Sequence, residues 1–162
     1  MKDSMEIKER DLKKITGILS RLLADTVLLY LKTKKLYWNF KGLVPGEVYS
    51  IIENQSKELE ATADQVAWHI RQFGVPAINT TQDFLQLTNL KMVSRSHYTP
   101  DDLMRELVDD YEYIIDSLHQ NITNGENIIN EETGVDFLKE ITMKCESAVQ
   151  ALRAHIQWAW QY

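Results

Sequence analysis

A carboxylate and a histidine three residues apart on a helix present both side chains on one face, the arrangement that bundle-borne metal centres use. No Glu-x-x-His occurs in the 162 residues, and the nearest approach is Asp116 with His119. One isolated pair reads more simply as a solvated surface pair, so a metal centre enclosed within a single bundle is not expected. The other histidines are scattered. His155 falls on an apolar stripe, the setting of a core histidine, and His97 beside Tyr98 reads as exposed. Cys145 is the only cysteine, which excludes an internal disulfide and a cysteine-built zinc site within one chain.

Eighteen Lys and Arg against 24 Asp and Glu give a formal charge of −6, which repels a polyphosphate unless the basic residues gather on one face. They do not gather at the amino terminus. Residues 1–14 hold Lys2, Lys8, Arg10, Lys13 and Lys14 against Asp3, Glu6, Glu9 and Asp11, a balance of only +1. DNA is therefore not an expected partner. Trp38, Trp158 and Trp160 stand at helical positions and read as packing residues rather than base-stacking ones. Apolar runs such as Val27 to Leu31 fall far short of the roughly 20 residues of a membrane span. The opening MKDSMEIKER is too charged for a signal peptide, so no membrane association and a cytoplasmic location are expected.

The elements that must position these residues are long helices. Between Ile7 and Phe40, apolar residues recur at the three-and-four spacing of one helical face, through Leu12, Ile15, Leu19, Leu22 and Val27. Gly42, Pro45 and Gly46 interrupt this stripe, and a second runs from Val48 through Leu59, Val66 and Ile70 to a stop at Gly74 and Pro76. Thr80 and Asp83 carry a capping spacing that predicts a short helix inside a long connection. Thr99 and Pro100 open a third long helix that closes at Asn124 and Gly125, and a fourth holds Leu138, Ile141, Cys145, Leu152 and Ile156. Four such helices with one long crossover predict an all-α, ferritin-like four-helix bundle, a single domain over residues 1–162 with a short charged arm at 1–11.

LYLKTKKLYWNFKG at Leu29–Gly42, DQVAWHIRQFGVP at Asp64–Pro76 and HIQWAW near the carboxyl terminus resemble the Dps proteins, the small ferritins, over about residues 12 to 160. The resemblance implies a homo-oligomeric shell, expected to be a dodecamer, that handles iron. It also implies an iron-oxidising site at a two-fold interface, two histidines coming from one chain and an Asp and a Glu from the other. Here the histidine positions are Tyr37 and Tyr49, the Asp is retained as Asp64, and the Glu position holds Trp68. A neutral phenol is a poor iron ligand and an indole is none, so the site is expected to be degenerate and ferroxidase activity is left open.

Two readings of these positions follow. Asp64, Tyr37, Tyr49 and His69, with Glu53 and Glu60 on the same helix as Asp64, are candidates for a relocated metal site, although one step from position 68 to 69 turns His69 by about 100° on the helix. The alternative is an aromatic interface plug of Tyr37, Tyr49 and Trp68 in which Asp64 accepts a phenolic hydrogen bond. Glu131, Glu132 and Asp136, with Glu140 one turn on, resemble family acids lining a three-fold pore that draws in Fe²⁺, though acids at a helix start also serve the helix dipole. The resemblance thus implies iron binding or sequestration linked to oxidative-stress protection. A cage that stores no iron and a DNA-protecting protein are the rival expectations.

Overall fold

The computed structural model describes residues 8–91, 99–124, 128–130 and 133–156. All regular structure among them is helical: α1 spans Glu9–Asn39, α2 Gly46–Gln72, α3 Thr81–Leu87, α4 Pro100–Asn124 and α5 Val135–Ile156. None of these helices is long and apolar enough to cross a membrane. The helix begins earlier than the charge pattern suggested, because Asp11 and Leu12 donate their N–H groups to Lys8 O at 2.8 and 2.9 Å. Glu9–Asp11 thus form a first helical turn, where Glu9 and Asp11 favour the positive helix end.

Packing follows the apolar stripes. Leu19, Leu29, Leu36, Ile52, Val66, Ile70, Leu107 and Leu152 are each 2% exposed or less and meet in one core. Burying each of these contributes about 1.5–3 kcal/mol of transfer free energy. α1 packs along α2, and α4 along α5; α1 and α4 join the two pairs, while α2 and α5 make the sparsest of the direct helix contacts. Between α1 and α2 the chain turns at Gly42, whose φ of +79° suits a residue without a Cβ.

The crossover from α2 to α4 is held down by side chains of α1. The Thr80 hydroxyl caps α3 by accepting from Asp83 N at 3.1 Å, as the spacing predicted. Beyond it, Asp25 Oδ1 accepts from Thr88 Oγ1 at 2.7 Å and from Asn89 N at 3.0 Å. Lys32 Nζ then donates to Lys91 O at 2.9 Å and lies 2.8 Å from Glu106 and 2.5 Å from Asp110, both on α4. Where α4 starts, Asp102 N donates to Thr99 Oγ1 and Thr99 N to Asp102 Oδ2, a reciprocal cap.

Burial pushes the Asp110 carboxyl up to about 6, against the lowering effect of Lys32. For Lys32, burial alone would lower the pKa, but the two carboxylates outweigh it and the net shift is upward. The ammonium therefore stays charged while Asp110 is the partner that titrates near neutrality. A carboxyl whose pKa is higher in the fold than in the unfolded chain favours folding most below its ordinary value, and that contribution is lost as pH rises through its folded value. Asp110→Asn should therefore gain stability relative to wild type between pH 4.5 and 7.5, by on the order of 2 kcal/mol. Urea unfolding at both pH values checks this; a difference that does not change with pH contradicts it.

Candidate functional site

Tyr37 near the end of α1 and Tyr49 in the first turn of α2 are brought together by the turn at Gly42. Their rings stack with centroids 4.9 Å apart and planes 19° from parallel. Lys34 Nζ lies 4.7 Å from the Tyr37 ring centroid, adding a cation–π contact. The hydrogen bond to Tyr49 pushes the Tyr37 pKa up, and burial and the Glu53 carboxylate act in the same direction. A phenol held protonated in this way is withheld from the phenolate form that ferric iron prefers. Lys34 was not among the residues singled out from sequence; Glu53 was, and it stands four residues after Tyr49 on one helix face.

Asp64 and Trp68 occupy a different place. Both are exposed, Trp68 to 64%, and they sit one turn apart on α2. Asp64 follows Tyr49 by 15 helical positions, about 22 Å along the axis. One chain therefore does not assemble the four positions into one site. Among the described residues of a single chain, no group of three or more His, Cys, Asp and Glu lies close enough to hold a metal ion.

His69 faces another way, against the turn that leads into α5. Its ring stacks on Phe137 at 4.5 Å and meets Phe73 edge-on at 5.6 Å. Nε2 lies 3.3 Å from Thr133 O; a carbonyl only accepts, so Nε2 carries the proton and donates. The turn is itself stapled, with Asn130 N donating to Thr133 Oγ1 at 2.7 Å and Thr133 N to Asn130 Oδ1 at 3.1 Å. The imidazole is thereby a packing and positioning group that ties the end of α2 to the start of α5. Sequence spacing gave its rotation away from Trp68, but the distant loop that receives it carries no local signal.

Of the acids proposed to line a pore, Asp136 and Glu140 are exposed on the first turns of α5, and Glu131 and Glu132 lie outside the described residues. Glu140 approaches Lys144 at 3.7 Å, and Glu58 reaches the same ammonium at 3.9 Å. Asp116 and His119 are both exposed, and His119 has Glu146 at 3.7 Å as its acidic partner across the helix pair. His155 is half-buried on α5, and His97, Trp158 and Trp160 lie outside the described residues. Burial pushes the Cys145 thiol up to about 12, so it is a neutral core group.

Long paired helices, a crossover strapped to α1 and an inserted short helix define a ferritin-like bundle. The family model for the ferritin-like domain matches residues 16–158, and the chain belongs to that family, among its Dps miniferritins. A low temperature-induced protein of Nostoc sp. is 27% identical over 143 residues, 88% of this chain and 80% of its own length. The DNA protection during starvation protein of Helicobacter pylori is 23% identical and covers 86% of this chain and 96% of its own. Among solved structures, DpsC from Streptomyces coelicolor superposes with a TM-score of 0.82 at 17% identity, covering 96% of this chain and 91% of its own. Dps from Thermosynechococcus elongatus gives 0.77 at 20% identity, covering 89% and 90%.

The His69 contact makes Gly134 the least replaceable glycine. Its φ is +98°, and a Cβ there would lie 2.3 Å from His69 Nε2. Gly134→Ala should cost about 2–4 kcal/mol, from left-handed backbone strain together with a displaced imidazole. Gly17, with nothing within 4 Å of an added Cβ and a helical backbone, should instead gain about 0.5–1 kcal/mol on substitution by Ala. Thermal or denaturant unfolding of the two variants checks the opposite signs.

Proposed function

We propose that this protein is the subunit of a homo-oligomeric shell, a dodecamer, that binds and sequesters iron in the cytoplasm as part of protection against oxidative stress, with a weakened interfacial ferroxidase site. The observation that carries the reading is the face made by α1 and α2. Trp38, beside the stacked Tyr37 and Tyr49, is 65% exposed, and Trp68, toward the far end of α2, is 64% exposed. Two exposed indoles of this size, one of them next to a tyrosine pair, suit a surface buried against a second copy. The separation of Asp64 and Trp68 from the tyrosines within one chain fits a site completed by that copy, since an isologous contact brings each half to the other.

On this reading Tyr37, Tyr49 and Trp68 plug the interface, and Asp64 is the one hard oxygen ligand left for Fe²⁺ as substrate. Aerobic Fe²⁺ oxidation by the wild-type protein should then lack a rapid stoichiometric phase. Tyr37→His, Tyr49→His and Trp68→Glu made together should create it, provided light scattering shows the oligomer intact. Fast oxidation by the wild type that Asp64→Asn abolishes would instead identify a rebuilt centre. The three aromatic replacements also favour a second reading, a cage that stores no iron; failure to retain iron after loading would select it. The charge of −6 gives DNA binding less support, despite the name that several relatives carry.

Glu131, Glu132, Asp136 and Glu140, repeated around a three-fold axis, would focus negative potential and admit hydrated cations. Replacing Glu131, Glu132 and Asp136 by their amides should slow iron uptake severalfold at low ionic strength and much less at high salt. Stopped-flow loading at the two salt concentrations measures this, and an unchanged low-salt rate removes the pore assignment.

A further inference from the structure

The loosest seam of the bundle, between α2 and α5, contains a cavity of about 510 Å³. That lies within the roughly 300–1,000 Å³ typical of small-molecule sites. Each of the four long helices contributes an apolar wall, Leu29 from α1, Leu59 from α2, Ile114 from α4 and Ile141 from α5. Gln55, only 8% exposed, lines the same space. Its Nε2 donates to Ala148 O at 3.2 Å, while Oε1 is buried and has no hydrogen-bond partner among the described residues. Reversing the amide would instead set an oxygen against the oxygen of Ala148 at 3.2 Å, where the two repel. An acceptor left over beside apolar walls is the feature a ligand O–H would complete.

The rim narrows the chemistry. Glu58 and Glu140 flank Lys144 at the mouth, at 3.9 and 3.7 Å, so two acids face one base and an anionic head group is repelled. A metal ion finds no cluster of three ligating side chains among the described residues. We propose that this cleft binds a small uncharged amphiphile, an extended apolar molecule carrying one hydroxyl that donates to Gln55 Oε1. The site is separate from the interfacial aromatic positions and does not depend on the iron reading.

Titration calorimetry of the assembled protein with 1-decanol, and with its methyl ether as a donor-free control, tests the assignment. The wild type should bind 1-decanol saturably, at up to one per chain, and the ether at least about fivefold more weakly. Gln55→Leu should bring the two affinities to within about twofold of each other. Ser147→Phe, at an exposed position on the lip, should block both probes. The proposal is overturned by the absence of saturable 1-decanol binding below its solubility limit, by equal wild-type affinities for alcohol and ether, or by undiminished binding in Ser147→Phe. If Gln55→Leu fails to fold, the wild-type alcohol-to-ether ratio and Ser147→Phe decide the matter.

Discussion

A single buried ammonium holds the topology together. Lys32 projects from α1, donates to the Lys91 carbonyl and forms ion pairs with Glu106 and Asp110, so it touches the end of the crossover and the flank of α4 at once. Asp25, two turns earlier on α1, grips the crossover through Thr88 and Asn89. Between them these two charged residues convert a long connection into a strap with a fixed course. A buried ion group of this kind adds little net stability over well-packed apolar residues, but breaking it leaves an uncompensated charge. Its service is directional: it specifies where α4 must begin, and so which helices become neighbours.

Much of this was legible in the chain. The three-and-four spacing of Leu12 to Val27 and of Leu103 to Ile122 shows as long helices, and the Thr80–Asp83 and Thr99–Asp102 spacings mark real caps. Capping and periodicity are local, and the residues that carry them lie a few positions apart. The strap was not legible, because Asp25, Lys32 and Asp110 read as polar breaks in apolar stripes and their partners lie 59 or more positions away. The start of α1 was placed late for a related reason: a run of alternating charges resembles a solvated arm, yet two backbone bonds to Lys8 suffice to close a helical turn there.

The aromatic positions show a different limit. That Tyr37 and Tyr49 stand where a metal-binding family has imidazoles came from the resemblance, and the stacking of their rings came from the fold. An imidazole offers a lone pair at neutral pH, whereas a phenol hydrogen-bonded to another phenol offers a proton. On the proposed reading, the exchange would turn the local chemistry from ligation to packing without disturbing the helices. His69 completes the contrast, since its neighbour Trp68 looks outward while the imidazole stacks on Phe137 and meets Phe73 edge-on.

The one thiol of the chain has a consequence for how the molecule ages. Cys145 is 7% exposed, and its thiolate is suppressed by burial near apolar neighbours. Sulfenylation, mixed-disulfide formation and alkylation all begin from the thiolate and need access to it. In the closed bundle all three are slowed by the protonated state and near-burial of this sulfur, although Cys145 borders the cleft between α2 and α5. Modification of Cys145 faster than this slow basal rate would therefore record time spent with α5 lifted from the core, a clock for opening of the bundle.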